Sequence, residues 1–168
     1  AVKESNFASQ TIDIGLVVTD LKKSLKFYKE VVGFEEKEGF QVGGKFPKLV
    51  GLTDGTDLNI HVLRLGDEET ATKLKLMQVQ AKKSTRVVKQ PYIHSVAGIS
   101  YLTIFVKNVD LVLSQAEKNG YQAHAKIIEP CGVKGNILFI PLIFELFIFF
   151  GISLSNLFNI ILSIKIKS

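Results

Sequence analysis

The sequence predicts an α+β chain of two βαβββ modules, and three observations predict it. A period-two apolar pattern runs from Thr11 to Val18. A helical pattern follows it directly and stops at a glycine. The same strand-then-helix grammar returns about 88 positions later.

In TIDIGLVV, Ile14, Leu16 and Val18 fall on one face and Asp13, Gly15 and Val17 on the other. Asp20 is placed to cap the helix that follows. Leu21, Leu25, Tyr28 and Val32 recur at helical spacing, and Lys22, Lys23, Lys26 and Lys29 take the wet side. Gly33 ends the helix in a left-handed cap. Three extended stretches come next: Glu35–Val42, Leu58–Leu65 and Thr72–Val79. The DGT turn at 54–56 and the GDEE stretch at 66–69 separate them. Downstream, Gly98–Val106 reads as a strand. Asn108 or Asp110 caps a helix carrying Leu111, Val112 and Ala116, and Gly120 stops it. Ile14 then matches Leu102, Leu16 matches Ile104, Val18 matches Val106 and Asp20 matches Asn108. Gln122–Ile128 is read as the next strand. The expected organisation is an N-terminal extension over 1–10, a first module over 11–80, a linker over 81–96, a second module over 97–150 and an apolar tail over 151–168.

Composition narrows the class. With 46% hydrophobic and 22% charged residues the chain is globular rather than disordered. Cys131 is the only cysteine, so no internal disulfide forms and nothing argues for an oxidising compartment. The net charge is +5, and its densest basic run is Lys82, Lys83, Arg86 and Lys89. No aromatic residue interleaves that run, which speaks for a solvated linker and against a nucleic-acid platform. The polar start AVKESNFASQ has no signal-peptide core, and a cytoplasmic setting is favoured. Ala1 at the first position points to a removed methionine or leader, or to an engineered start.

The segment IDIGLVVTDLKKSLKFYKEVVGFE resembles the opening of vicinal-oxygen-chelate proteins, the superfamily of glyoxalase I, bleomycin-resistance proteins and extradiol dioxygenases. Asp20, Ser24, Phe27, Tyr28, Gly33 and Phe34 carry the likeness. GISYLTIFVKNVDLVLSQAEKNGY resembles the opening of that family's second module. FPKLVGLTDGTDLNIHVLRLG with TKLKLMQV resembles the end of its first. The resemblance implies a curled mixed sheet around a cavity. It also implies one divalent metal, nickel, zinc, iron or manganese, held by first- and last-strand side chains of each module. Such a metal would serve as a Lewis acid for a substrate with neighbouring oxygens.

Carried over residue by residue, the ligand positions fall at Asp13, Lys75, Tyr101 and Glu145. Asp13 and Glu145 are the metal-ligand candidates, with Glu145 also the catalytic candidate. A lysine ammonium has no lone pair for a cation, and a neutral tyrosine is a poor ligand. With most of the quartet lost, metal can be absent, and Asp13 and Lys75 are placed to form an ion pair in its stead. Asp13, His61, Lys75 and Tyr101 are then the expected cavity-lining, ligand-binding residues. His61, in LNIHVLRL, suits a structural or ligand-contact role better than metal ligation. His94 and His124 have no partner at metal-site spacing.

From Gly135 onward the chain is strongly apolar, and the family's usual acidic turn is missing, with only Pro141 surviving. Three readings stay open. Ile137–Ile140 and Ile143–Phe150 are buried strands; or Ile137–Ile164 is a membrane tail anchor; or the tail is a product of altered splicing or read-through. Three functions stay open with them. One is a glyoxalase-like lyase acting on a small oxygenated substrate such as a glutathione hemithioacetal. The second is a non-catalytic small-molecule-binding module of the bleomycin-resistance type. The third is a tail-anchored membrane protein. Strand edges and an apolar tail that need cover point to a homodimer.

Overall fold

The alternation at the start of the chain becomes the edge of a mixed four-stranded sheet. The computed structural model describes residues 7–9, 11–79, 92 and 94–121, and the backbone alone of 125–126, 137–141 and 150–152. The chain divides into two units, Ala1–Thr85 and Arg86–Ser168.

In the first unit, β1 (Asp13–Val17) leads into a helix, and β2 (Glu35–Val42), β3 (Leu58–Arg64) and β4 (Lys73–Met77) follow. The sheet order is β1-β4-β3-β2. β1 lies parallel to β4, with Asp13 beside Lys73 and Gly15 beside Lys75. β3 runs antiparallel to both neighbours. A parallel pair needs a long crossover, and here the helix and two strands supply it.

α1 (Leu21–Lys26) starts where expected. The Asp20 side chain accepts from the Lys23 N–H at 2.9 Å, and the Gln78 side chain accepts from the Leu21 N–H at 3.0 Å. The helix then widens into a π-helical stretch over Phe27–Val32 and ends at Gly33, whose φ of 95° suits glycine. The buried stripe is not the one the spacing predicts. Ser24, Phe27, Tyr28 and Val31 are buried, whereas Leu21, Leu25 and Val32 flank them. Ser24 can be buried because its hydroxyl donates back to the Asp20 carbonyl at 2.8 Å. Phe27, a larger apolar group than either leucine, takes the central place. It stands edge-on to Tyr28, which stands edge-on to Phe34. Leu63, Leu74 and Leu76 form the buried face of the sheet's central strands.

β2 carries a bulge. Lys37 lies opposite Val62 but Phe40 lies opposite Ile60, so three steps on β2 match two on β3. The extra residue puts Lys37 and Phe40 on one face, which simple alternation forbids. Gly39 permits it, because a Cβ there would collide with the Ile60 carbonyl. Gly39→Ala is expected to cost about 2 kcal/mol, the range of overpacking, read as a lowered urea midpoint. An unchanged midpoint would contradict the assignment.

α2 (Phe46–Leu49), a single turn with Pro47 near its start, is an element the sequence reading lacks. In the second unit β5 (Tyr101–Phe105) and α3 (Val109–Lys118) start 88 residues after β1 and α1. The internal repeat therefore holds without a gap through strand and helix. Asn108 caps α3, accepting from the Leu111 N–H at 3.0 Å. Val109, Val112 and Ala116 are buried, while Leu111, expected inside, is 56% exposed.

Beyond α3 the repeat's pairing changes. β6 (Ala125–Lys126), β7 (Ile137–Pro141) and β8 (Phe150–Ile152) give the order β5-β7-β8-β6. β5 thus pairs antiparallel with β7, where β1 pairs parallel with β4. The strand predicted from Ile137 is present. A continuous membrane-spanning helix over 137–164 is therefore overturned, because residues 137–141 are committed to a strand ladder. Among the described residues no helix is long and apolar enough to cross a membrane.

Candidate functional site

Strand registers sort the first sheet's side chains into two faces. Paired positions share a face, and alternate positions along each strand follow. One face carries the rows Glu35–Arg64–Lys73–Asp13 and Lys37–Val62–Lys75–Gly15. Phe40 and Ile60 come next, then Val42 and Leu58. This face is polar at one end and apolar at the other. Leu58, Ile60 and Val62 are buried, with Val42, Met77 and Val79 packed on them.

Asp13 and Lys75 meet on this face. Lys75 Nζ lies 2.8 Å from Asp13 Oδ2, with both side chains partly exposed. The same ammonium stands 5.7 Å from the centre of the Phe40 ring, within reach of a cation–π attraction. The Gly39 bulge makes that approach possible by turning Phe40 to the lysine's side. Next to this pair, Glu35 accepts from Lys37 at 2.6 Å and from Arg64 at 3.4 Å. The Lys37 ammonium, then Arg64, holds the Glu35 carboxyl below the usual carboxylate range.

The structure does not bring His61 to this face. His61 pairs with Leu76 and alternates with Val62, so it belongs to the helix-covered side. There its Nδ1 lies 3.1 Å from Glu36 Oε1, and Lys29 Nζ lies 2.5 Å from Glu36 Oε2. The cluster ties the π-helical stretch to β2 and β3. The Lys29 ammonium, then His61, holds the Glu36 carboxyl below its ordinary value. A depressed folded-state pKa stabilises above the unfolded value and is lost as pH falls through the folded one. Glu36→Gln is therefore expected to flatten the decline of thermal stability between roughly pH 5 and pH 3. An acid limb as steep as in the parent protein would contradict the role given to Glu36.

Tyr101 opens β5 in the second unit and is 47% exposed, on the face shared with Thr103 and Phe105. Glu145 lies outside the described residues, as do His124, Cys131 and the basic run at 82–89. His94 stacks on Tyr92, with centroids 5.5 Å apart.

A divalent ion does not fit the first unit's part of the expected quartet. Lys75 holds a positive charge against the one carboxylate, and an ammonium offers no lone pair. The strand beside β5 reads ILFIP and carries no donor side chain. Among the described residues no group of three or more His, Cys, Asp or Glu could hold a metal.

Comparisons with known proteins agree with the topology. No curated protein matches the sequence significantly. A glyoxalase family protein from Bacillus cereus superposes with a TM-score of 0.60 at 14% identity, over 90% of this chain and 97% of its own. The protein SMU.1112c gives 0.52 at 15%, over 83% and 94%. The trypanothione-dependent glyoxalase I of Leishmania major gives 0.46 at 17%, over 83% and 82%. At these identities the first two likenesses are ones of fold. A family model, by contrast, matches the sequence itself over residues 11–132, and on that match the chain belongs to the Glyoxalase/Bleomycin resistance protein/Dioxygenase superfamily.

Proposed function

We propose that the protein is a small-molecule-binding module of this superfamily that works without a resident metal. The observation that carries the reading is the Asp13–Lys75 pair at two positions where active relatives are expected to hold a cation. An ammonium 2.8 Å from the carboxylate neutralises it as an ion would, yet leaves no open coordination position. What remains is a face with an apolar body and a few placed charges, the usual composition of a ligand site.

The lyase reading rests on family membership alone, and a fold of this kind hosts many chemistries. It would need metal-dependent turnover of a glutathione hemithioacetal.

A thermal-shift screen of small oxygenated and aromatic compounds, run with and without a chelator, tests the proposal. Ligand-induced stabilisation that survives the chelator is the expected result. Stabilisation that vanishes with the chelator, or hemithioacetal turnover restored by nickel or zinc, would overturn it.

A further inference from the structure

The charges on this face are not balanced. Its two polar rows hold four cations, Lys37, Arg64, Lys73 and Lys75, against two carboxylates, Glu35 and Asp13. Three of the cations are already paired. Lys73 has no carboxylate partner among the described residues, although it lies between Arg64 and Asp13 in its row. Adjacent strands are about 4.8 Å apart and alternate residues about 6.7 Å, so the four cations lie within roughly 12 Å of sheet. An excess of positive charge held this close, partly out of water, favours an anion over any neutral or cationic guest.

The neighbouring surface says what the anion is attached to. One step beyond the Lys75 row stands Phe40, 44% exposed, with its ring beside the ammonium. Gly15 closes the Lys75 row with bare backbone, where a Cβ would meet the Met77 Cε at 3.7 Å. A flat apolar body can lie against Phe40 while its head group reaches the cations.

Building on the binding-module reading, we infer that this face takes an aryl carboxylate. The carboxylate is received by Lys73 and Lys75, with Arg64 behind them, and the ring system rests against Phe40. Charge-assisted hydrogen bonds of this kind are worth more than neutral ones, so an anion should outbind its neutral isostere by about tenfold or more. The preference should shrink as salt is added, because the cations are not fully buried.

The test titrates the full chain with three probes that share one ring system: 1-naphthoate, 1-naphthalenemethanol and 1-naphthylmethylammonium. Calorimetry gives the affinities, and amide chemical shifts give the place. Naphthoate is expected to bind about tenfold tighter than the alcohol, with the ammonium weakest. Shifts should centre on Phe40, Lys73 and Lys75. Lys73→Gln strands no carboxylate, so it should fold normally and lower naphthoate affinity severalfold while leaving the alcohol unchanged. Phe40→Ala should weaken naphthoate and the alcohol alike, since both rings rest on it, and its 44% exposure keeps the cost to the fold small. If the alcohol binds as tightly as naphthoate, or Lys73→Gln changes neither, anion selection falls while the binding-module reading stands. If no probe binds, the aryl carboxylate inference is overturned. If the chain then also retains one equivalent of metal, the underlying reading goes with it.

Discussion

Phe27→Ala is expected to destabilise the first unit by about 3–5 kcal/mol, the cost of emptying a fully buried phenylalanine site. Phe27 is 0% exposed, and its ring is held edge-on by Tyr28, 5.2 Å away between centroids. Removing it leaves a cavity under the π-helical turn and unseats the Tyr28–Phe34 contact as well. Proteins of this size have only roughly 5–15 kcal/mol in hand, so a loss of this size takes a large share of the stability. Chemical denaturation followed by circular dichroism measures it. A loss under about 1 kcal/mol would mean that the stripe centred on Phe27 is not the core of the unit.

Lys75→Glu is expected to have the second large effect, and it bears on function. Two carboxylates would then face each other where a cation and an anion now pair at 2.8 Å. Without metal the variant should melt lower than the parent, since like charges this close resist joint ionisation. Manganese, nickel or zinc should raise its melting temperature again. At a metal concentration about a hundred times the dissociation constant, the gain is about 2.7 kcal/mol. The parent protein should show no such response. Equal metal responses in the two proteins would show that Lys75 is not the obstacle to metal binding.

Much of this was legible from the residues alone. β2 was predicted at its observed bounds, Glu35–Val42, because glycine and turn residues bracket it. The spacing of 88 between the modules reappears in both β1/β5 and α1/α3. Asp20 and Asn108 both cap as their side chains suggest. Asp13 and Lys75 were expected to pair, though the likeness to the family, not alternation, brought strands 62 residues apart together. Alternation fixes a residue's face but never its neighbour strand.

The misses have physical causes. The sequence groups His61 with Asp13 and Lys75, yet β3 is buried on both sides, with Val62 and Leu63 both hidden. A strand apolar on both faces gives no sign of which side a lone histidine takes. α2 is too short to show a period, and only Pro47 marks it. The bulge did leave a signal: Gly39 inside a strand is the usual mark of one. The helix stripe moved because Phe27, larger than Leu21 or Leu25, takes the central place, and Ser24, Phe27, Tyr28 and Val31 keep ordinary helical spacing around it.

An internal ammonium, that of Lys75, stands where relatives are expected to place a metal. Metal content per chain tests it most directly. The full protein is exposed to nickel, zinc, iron and manganese, freed of excess, and measured by plasma mass spectrometry. Retention far below one equivalent of every metal is the predicted result. Close to one equivalent of a single metal would contradict the claim and return the protein to the metal-dependent branch of its superfamily.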